Sequence, residues 1–275
     1  MQDLTPLSPG PRPLNEFPAA ARRVVRGVLC DIDDTLTTGG RMGAPAYAAL
    51  EDLLRAGLAV IPITGRPAGW CDHIARMWPV TAVVGENGAF YFRYDRGRRA
   101  MQRVFADDPA TRAANRERLS VIATEIMRAV PGCALAADQS YRETDLAIDY
   151  CEDVARLPVE AAERIAGMMR ARGLTAKVSS IHVNGWYGSY DKLGMTLRLM
   201  REQFSVDLAA ARTEYVFIGD SPNDAPMFGY FPYSVGVANI REFAGRLAHQ
   251  PAYVTDGAGG EGFCELANLL RGSIR

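Results

Sequence analysis

No apolar run in this chain approaches the roughly 20 residues that a helix needs to cross a bilayer, so a helical membrane span is not expected. Histidine is scarce, with 3 in 275 residues. The five cysteines, Cys30, Cys71, Cys133, Cys151 and Cys264, are far apart, odd in number and without a CxxC pair. That argues against a disulfide framework and against a structural zinc site. An excess of one charge is also missing. The formal net charge is −1, which gives no electrostatic reason for a nucleic-acid or acidic-membrane partner. There is no internal repeat, and no low-complexity tract beyond a proline-rich start. Pro6, Pro9, Pro11, Pro13 and Pro18 make residues 1–22 a poor helix or strand, and a loose arm is expected there. The N-terminus lacks the apolar core of a secretory signal, so the cytoplasm is the expected address.

What is present is a set of apolar runs that end in polar residues. Val24-Val25-Arg26-Gly27-Val28-Leu29-Cys30 reads as a short buried strand, and Asp31-Ile32-Asp33-Asp34-Thr35-Leu36-Thr37 follows where it ends. Carboxylates two residues apart in extended chain project to the same side. Burying them needs a cation or a polar cavity to meet them. A second run, Leu58-Ala59-Val60-Ile61-Pro62-Ile63, ends in Thr64-Gly65-Arg66. A third feature is Lys192, near the start of the amphipathic segment 191–204. A fourth run, Tyr215-Val216-Phe217-Ile218, ends in Gly219-Asp220-Ser221-Pro222-Asn223-Asp224.

Strand and helix alternate over residues 24–88, which predicts a parallel sheet with right-handed crossovers. After Ala89 the pattern changes. A hairpin is expected over 89–105, a helix over 110–130, strand pieces near 134–137 and 146–150, a helix over 159–172 and strands near 174–183. These suit a separate small α+β layer. Alternation returns from Lys192. The chain is thus read as an α/β core (23–89 and 189–275) with an inserted α+β layer (90–188).

The four motifs, in this order and at strand ends or a helix start, resemble those of the haloacid-dehalogenase-like (HAD) superfamily. The contexts Glu86-Asn87-Gly88-Ala89, Asp191-Lys192-Leu193-Gly194 and Gly259-Gly260-Glu261-Gly262 look like its IIB branch, which includes Cof-like sugar phosphatases and sucrose-phosphate phosphatase. The resemblance covers about residues 24–271. It implies a Rossmann-like parallel-sheet core with an α+β cap between the second and third motifs. It also implies Mg²⁺-dependent hydrolysis of a phosphomonoester through an aspartyl-phosphate. Asp31 would be the nucleophile and Asp33 the acid/base. Asp31 and Asp220 would coordinate the metal directly, Asp33 through its backbone carbonyl, and Asp224 mainly through water.

Thr64, the Gly65 turn and Lys192 would hold the phosphoryl group, and Asn223 would bind a phosphate oxygen or hold Lys192 in place; a helix cap is an equal reading of Thr64. Many IIB members carry glycine where this chain has Asp34, which makes the local geometry there an open question. Arg66 is read as a clamp for a second anionic group or as an ordinary ion pair. Within the insert, the polar stretch from Arg142 through Asp145 to Asp149 is read as a leaving-group recognition surface or a solvated face. The same choice holds for Ser179, Ser180, His182, Asn184 and Trp186. Candidate substrate residues are therefore Arg66, Asn87, Arg142, Asp145 and His182. The expected partner is a small phosphorylated metabolite, most simply a sugar phosphate, with no nucleic acid, no membrane and an undetermined oligomeric state. A phosphomutase uses the same nucleophile, and a silent sugar-phosphate-binding protein is the alternative outside catalysis.

Overall fold

The computed structural model describes residues 10–273. Along the chain, β1 (Arg12–Pro13) and α1 (Ala19–Arg22) precede β2 (Gly27–Cys30). A small flap of β3 (Thr37–Thr38) and β4 (Arg41–Met42) leads into α2 (Ala44–Arg55), β5 (Ala59–Pro62), α3 (Ala68–Met77) and β6 (Val83–Gly85). The insert brings β7 (Phe90–Asp95), β8 (Ala100–Phe105), α4 (Pro109–Ala129), β9 (Ala134–Leu135), β10 (Leu146–Asp149), α5 (Val159–Ala171), β11 (Thr175–Val178) and β12 (His182–Trp186). The chain ends with α6 (Lys192–Phe204), α7 (Leu208–Ala211), β13 (Tyr215–Gly219), α8 (Ala225–Tyr230), β14 (Val235–Gly236), β15 (Tyr253–Val254) and α9 (Gly259–Arg271).

The main sheet has six strands in the order β1-β15-β14-β13-β2-β5, and every pairing in it is parallel. Buried on both faces, β2 and β13 read as continuous apolar runs rather than alternating ones. The expected Rossmann-like α/β core is thus what the chain folds into. The register aligns Ile218, Cys30 and Pro62 across β13, β2 and β5. The residues that follow each strand therefore emerge side by side at one carboxyl edge. From β2 the chain continues to β5 on one flank, while β13 lies on the other, so that edge is a topological switch point where ligands of open α/β sheets bind.

The loose arm is not what residues 10–22 form. Arg12 donates its amide to Ala252 at 3.0 Å, and β1 extends the sheet edge beside β15. An edge position tolerates Pro13, which has no N–H to give. Phe17 is fully buried, with its ring centroid 5.1 Å from those of Tyr233 and Tyr253. Burying such a ring stabilises by about 2–3 kcal/mol, enough to dock a segment whose composition alone reads as disordered. The first nine residues of the expected arm lie outside the described residues.

The hairpin β7–β8, counted with the insert by a boundary at residue 90, packs on the core instead. β6 pairs with β7, and a parallel bridge from Ile63 to Val84 ties β6 to the end of β5. Phe90 and Phe92 belong to the same buried cluster as Val28, Cys30 and Ile74. The layer with its own core runs from α4 to β12. Its four-stranded antiparallel sheet, ordered β11-β12-β10-β9, lies under α4 and α5. Leu146, Ile148 and Val183 point into that core. With a side-chain period of two, Ala147, Asp149, His182 and Asn184 take the opposite face.

Candidate active site

Three carboxylates converge at the carboxyl edge of the main sheet. Oxygen atoms of Asp31, Asp220 and Asp224 lie within 4.8 Å of one another, and all three residues are buried. Lys192, the first residue of α6, reaches into them, with Nζ 2.7 Å from Asp31 Oδ1 and 2.7 Å from Asp224 Oδ1. The helix start is fixed by Asp191, which caps it by accepting the Gly194 amide at 2.6 Å. Gly88, at φ +105°, lies so close to the Asp191 carbonyl that a Cβ there would overlap it. Asp224 is further held by the backbone amides of Asp220 (3.1 Å) and Ser221 (3.4 Å).

Burial pushes Asp31 up to about 8 despite Lys192, and pushes Asp220 well above the usual carboxylate range with help from Asp31 and Asp224. For Lys192, burial pulls down, but Asp224 and Asp31 outweigh it and hold the ammonium charged. One lysine does not balance three carboxylates. Both oxygens of Asp220 are buried with no hydrogen-bond partner, whereas Asp224 is fully engaged. An orphaned carboxylate facing two others fits a hard divalent cation.

Thr64 is fully buried, and its Oγ1 accepts the Arg66 amide at 3.0 Å. The hydroxyl thus shapes the turn and keeps its own proton to donate. Asp31, Asp33, Gly65, Arg66, His182, Asn184 and Asn223 line one small cavity. Asn223 accepts from the Ser221 hydroxyl at 2.8 Å. Asp34 adopts φ +55°, a left-handed conformation that suits glycine and that aspartate tolerates better than most residues. Its side chain lines a neighbouring cavity with Arg156, Ser180 and Asp220, so the substitution keeps the turn and adds a carboxylate outside the substrate cavity.

Of the candidate substrate residues, only Arg66 and His182 are on the cavity wall. Arg142 and Asp145 are not. Their side chains are 1% and 0% exposed, and they pair with each other at 3.0 Å. Arg142 also donates to Asp138 at 3.0 Å and to the Gly65 carbonyl at 2.9 Å. The polar stretch is a buried brace between insert and core, because charges this deep must be satisfied internally. Asn87, at φ +55°, packs its amide against Gly65 and supports that turn from behind. Trp186 stacks on Tyr190 at 5.7 Å and is 1% exposed, away from the cavity.

Two acidic residues were missed by the sequence reading. Glu86, fully buried, accepts amides from Ala68 (2.9 Å), Glu143 (2.9 Å), Thr144 (2.7 Å) and Asp145 (3.3 Å), and the Thr144 hydroxyl at 2.5 Å. Glu152 of the insert pairs with Arg66 at 2.5 Å, while Arg66 holds Asp33 at 2.7 Å. Glu86 stood out only as part of the Glu86-Asn87-Gly88-Ala89 context, with no role read for its carboxylate, and Glu152 stands in no recognisable spacing; the fold brings both to their partners.

No protein-family model matches the chain. Two phosphoglycolate phosphatases are similar to it over nearly their whole length. That of Methanothrix thermoacetophila is 25% identical, covering 90% of this chain and 98% of the relative. That of Archaeoglobus fulgidus is 27% identical, covering 89% and 96%. Among solved structures, the C-terminal domain of the C. albicans trehalose-6-phosphate phosphatase superposes with a TM-score of 0.69 at 15% identity, covering 97% and 99%. A subclass IIB sugar phosphatase of the HAD superfamily gives 0.61 at 14% identity, covering 89% and 98%. The chain shares the fold of these solved structures, and its converged motifs resemble those of haloacid-dehalogenase-like hydrolases.

Proposed function

We propose that the protein is a Mg²⁺-dependent phosphomonoesterase that works through an aspartyl-phosphate on a small phosphorylated metabolite. The observation that carries this reading is the orphaned Asp220 carboxylate beside Asp31, Asp224 and Lys192. Asp31, Asp220 and, in an outer position, Asp224 would hold the cation, which neutralises phosphate charge and orients the ester.

In the first step an Asp31 oxygen bonds to phosphorus as the bond from phosphorus to the ester oxygen breaks. Asp33 gives its proton to the departing alkoxide. In the second step water attacks the same phosphorus, Asp33 takes the water's proton, and Asp31 leaves. Lys192 counters charge on Asp31 and on the transferring group throughout. Thr64, the Gly65 turn and Asn223 supply donors for the phosphoryl oxygens.

The cavity wall supports a neutral, hydroxyl-bearing leaving group such as a sugar. Arg66, its one guanidinium, faces Asp33, Glu152 and Asp138 and has no charge to spare, while Ser180 and Asn184 offer neutral hydrogen bonds. Phosphoglycolate is the second reading, favoured by the two archaeal relatives. A mutase is disfavoured beside phosphatase relatives. Phosphate release from a panel of sugar phosphates, phosphoglycolate and p-nitrophenyl phosphate, with Mg²⁺ and with EDTA, tests the reading. Asp31→Asn should lose turnover at least about 10³-fold with circular dichroism unchanged. Full activity in that variant, or in demetallated protein, would sink the mechanism.

A further inference from the structure

Asp31 and Asp220 face different cavities. Asp31 lines the substrate cavity, whereas Asp220 lines a second one, of about 230 Å³, with Asp34, Arg156, Ser180, Asn239 and Glu242. Ser180 is on both walls, so the two cavities are neighbours. The side cavity has room for several water molecules. To its wall Asp220 brings two oxygens that are buried and without a hydrogen-bond partner.

Asp34 is set in that wall by its backbone. Its amide donates to the Thr37 hydroxyl at 3.0 Å, and its carbonyl accepts from the Asn239 side chain at 3.0 Å. Asn239 is anchored in turn by accepting the Gly259 amide at 3.0 Å. Glycine would take the φ of +55° without strain, so the turn itself gives no reason for a carboxylate. Asp34 is not one of the carboxylates that gather within 4.8 Å of one another, which puts it beyond direct coordination alongside them.

Mg²⁺ usually keeps several waters when it binds protein carboxylates, and those waters need acceptors. Asp224 has little capacity left for them. Lys192 takes one of its oxygens, and the amides of Asp220 and Ser221 take the other. Of the two further carboxylates on the side-cavity wall, Glu242 is exposed and Asp34 is partly buried. Arg156 offsets only one of them.

We propose that Asp34 supports the divalent cation without touching it, by accepting hydrogen bonds from waters that the ion keeps on the side-cavity face. This rests on the reading of Asp31 and Asp220 as direct ligands. Its charge strengthens the ion's hold, and its oxygens fix the orientation of those waters.

The test is Mg²⁺ affinity in the full chain without substrate, read by titration calorimetry and by melting temperature against Mg²⁺ concentration. Asparagine and glycine both tolerate a left-handed backbone, so Asp34→Asn and Asp34→Gly keep the turn. Each should raise the Mg²⁺ dissociation constant roughly 10-fold or more, the usual cost of losing a group that supports a metal site from behind its ligands. Glu242→Gln should stay within about twofold of wild type, because an exposed charge is screened by water and salt. An unchanged constant in both Asp34 variants overturns the proposal and leaves Asp31 and Asp220 standing as ligands. Equal weakening in Glu242→Gln would reduce the effect to general charge, which overturns it too. No response to Mg²⁺ in wild type would instead sink the metal reading itself, and this proposal with it.

Discussion

Lys192 and Asp31 are 161 residues apart in sequence, and their Nζ and Oδ1 atoms lie 2.7 Å apart in a site sealed from solvent. The same ammonium binds Asp224 at 2.7 Å. Among the described residues it is the one cation placed among the acidic trio, so removing it leaves like charges buried together.

Lys192→Met keeps the volume and deletes the charge. The cost should be about 3–5 kcal/mol, the range for breaking a buried ion pair from one side. Mg²⁺ should recover more melting temperature in this variant than in wild type, since the cation then neutralises carboxylates the lysine no longer meets. Thermal melts with EDTA and with Mg²⁺ check it. A variant as stable as wild type in EDTA would mean that the lysine is not what holds the carboxylates together.

How far the sequence reveals all this differs by element. The apolar runs ending at Asp31, Thr64 and Asp220 were legible because each is a strand buried on both faces, and the parallel register brings their ends together. The docking of Phe17 was not legible, since proline content hides one well-placed aromatic. The role of Arg142 was misread for a physical reason. A charged stretch looks the same in sequence whether it faces water or is paired internally, and only Asp138, Asp145 and the Gly65 carbonyl decide between them. Glu152 was invisible because its partner, Arg66, is 86 residues away in the core.

Glu86 sets a pH dependence. Burial and the nearby Asp145 charge push its carboxyl up to about 7, against the pull of Arg142 and the donors around it. The folded state therefore holds this proton more tightly than the unfolded chain, where the ordinary value is about 4.3. Its contribution to stability is fully present below that value and is lost as pH rises through about 7. The loss is on the order of 3 kcal/mol. In Glu86→Gln this slope should vanish, with lower stability at acid pH because the amide nitrogen faces backbone donors. Melting temperatures from pH 5 to 8 compare the two; an undiminished slope in the variant assigns the titration elsewhere.

Arg142→Met tests the brace between insert and core. Asp145 would keep only the Asn184 amide and Asp138 only Arg66 at 3.5 Å, so a loss approaching the roughly 3–5 kcal/mol of a buried pair broken from one side is expected. In protein that remains folded, kcat/KM should fall by similar factors for a sugar phosphate and for p-nitrophenyl phosphate, because the side chain is off the cavity wall. A selective loss on the sugar phosphate would restore Arg142 to a recognition role.

Asp220 separates a metal site from a merely acidic one. Its two oxygens are buried without partners, and burial with the neighbouring Asp31 and Asp224 charges opposes its ionisation. A carboxylate kept in that position without a cation weakens the fold. Asp220→Asn should therefore melt higher than wild type in EDTA, since the buried like charge is gone. In wild type, Mg²⁺ at about 100 times its dissociation constant should add about 2.7 kcal/mol. In the variant that increment should be absent, because the ligand that makes the site hold a hard cation is missing. The comparison needs no substrate: it is read from melting temperatures alone. An equal Mg²⁺ response in both proteins would place cation binding away from the Asp31, Asp220 and Asp224 trio and leave the orphaned carboxylate without a function.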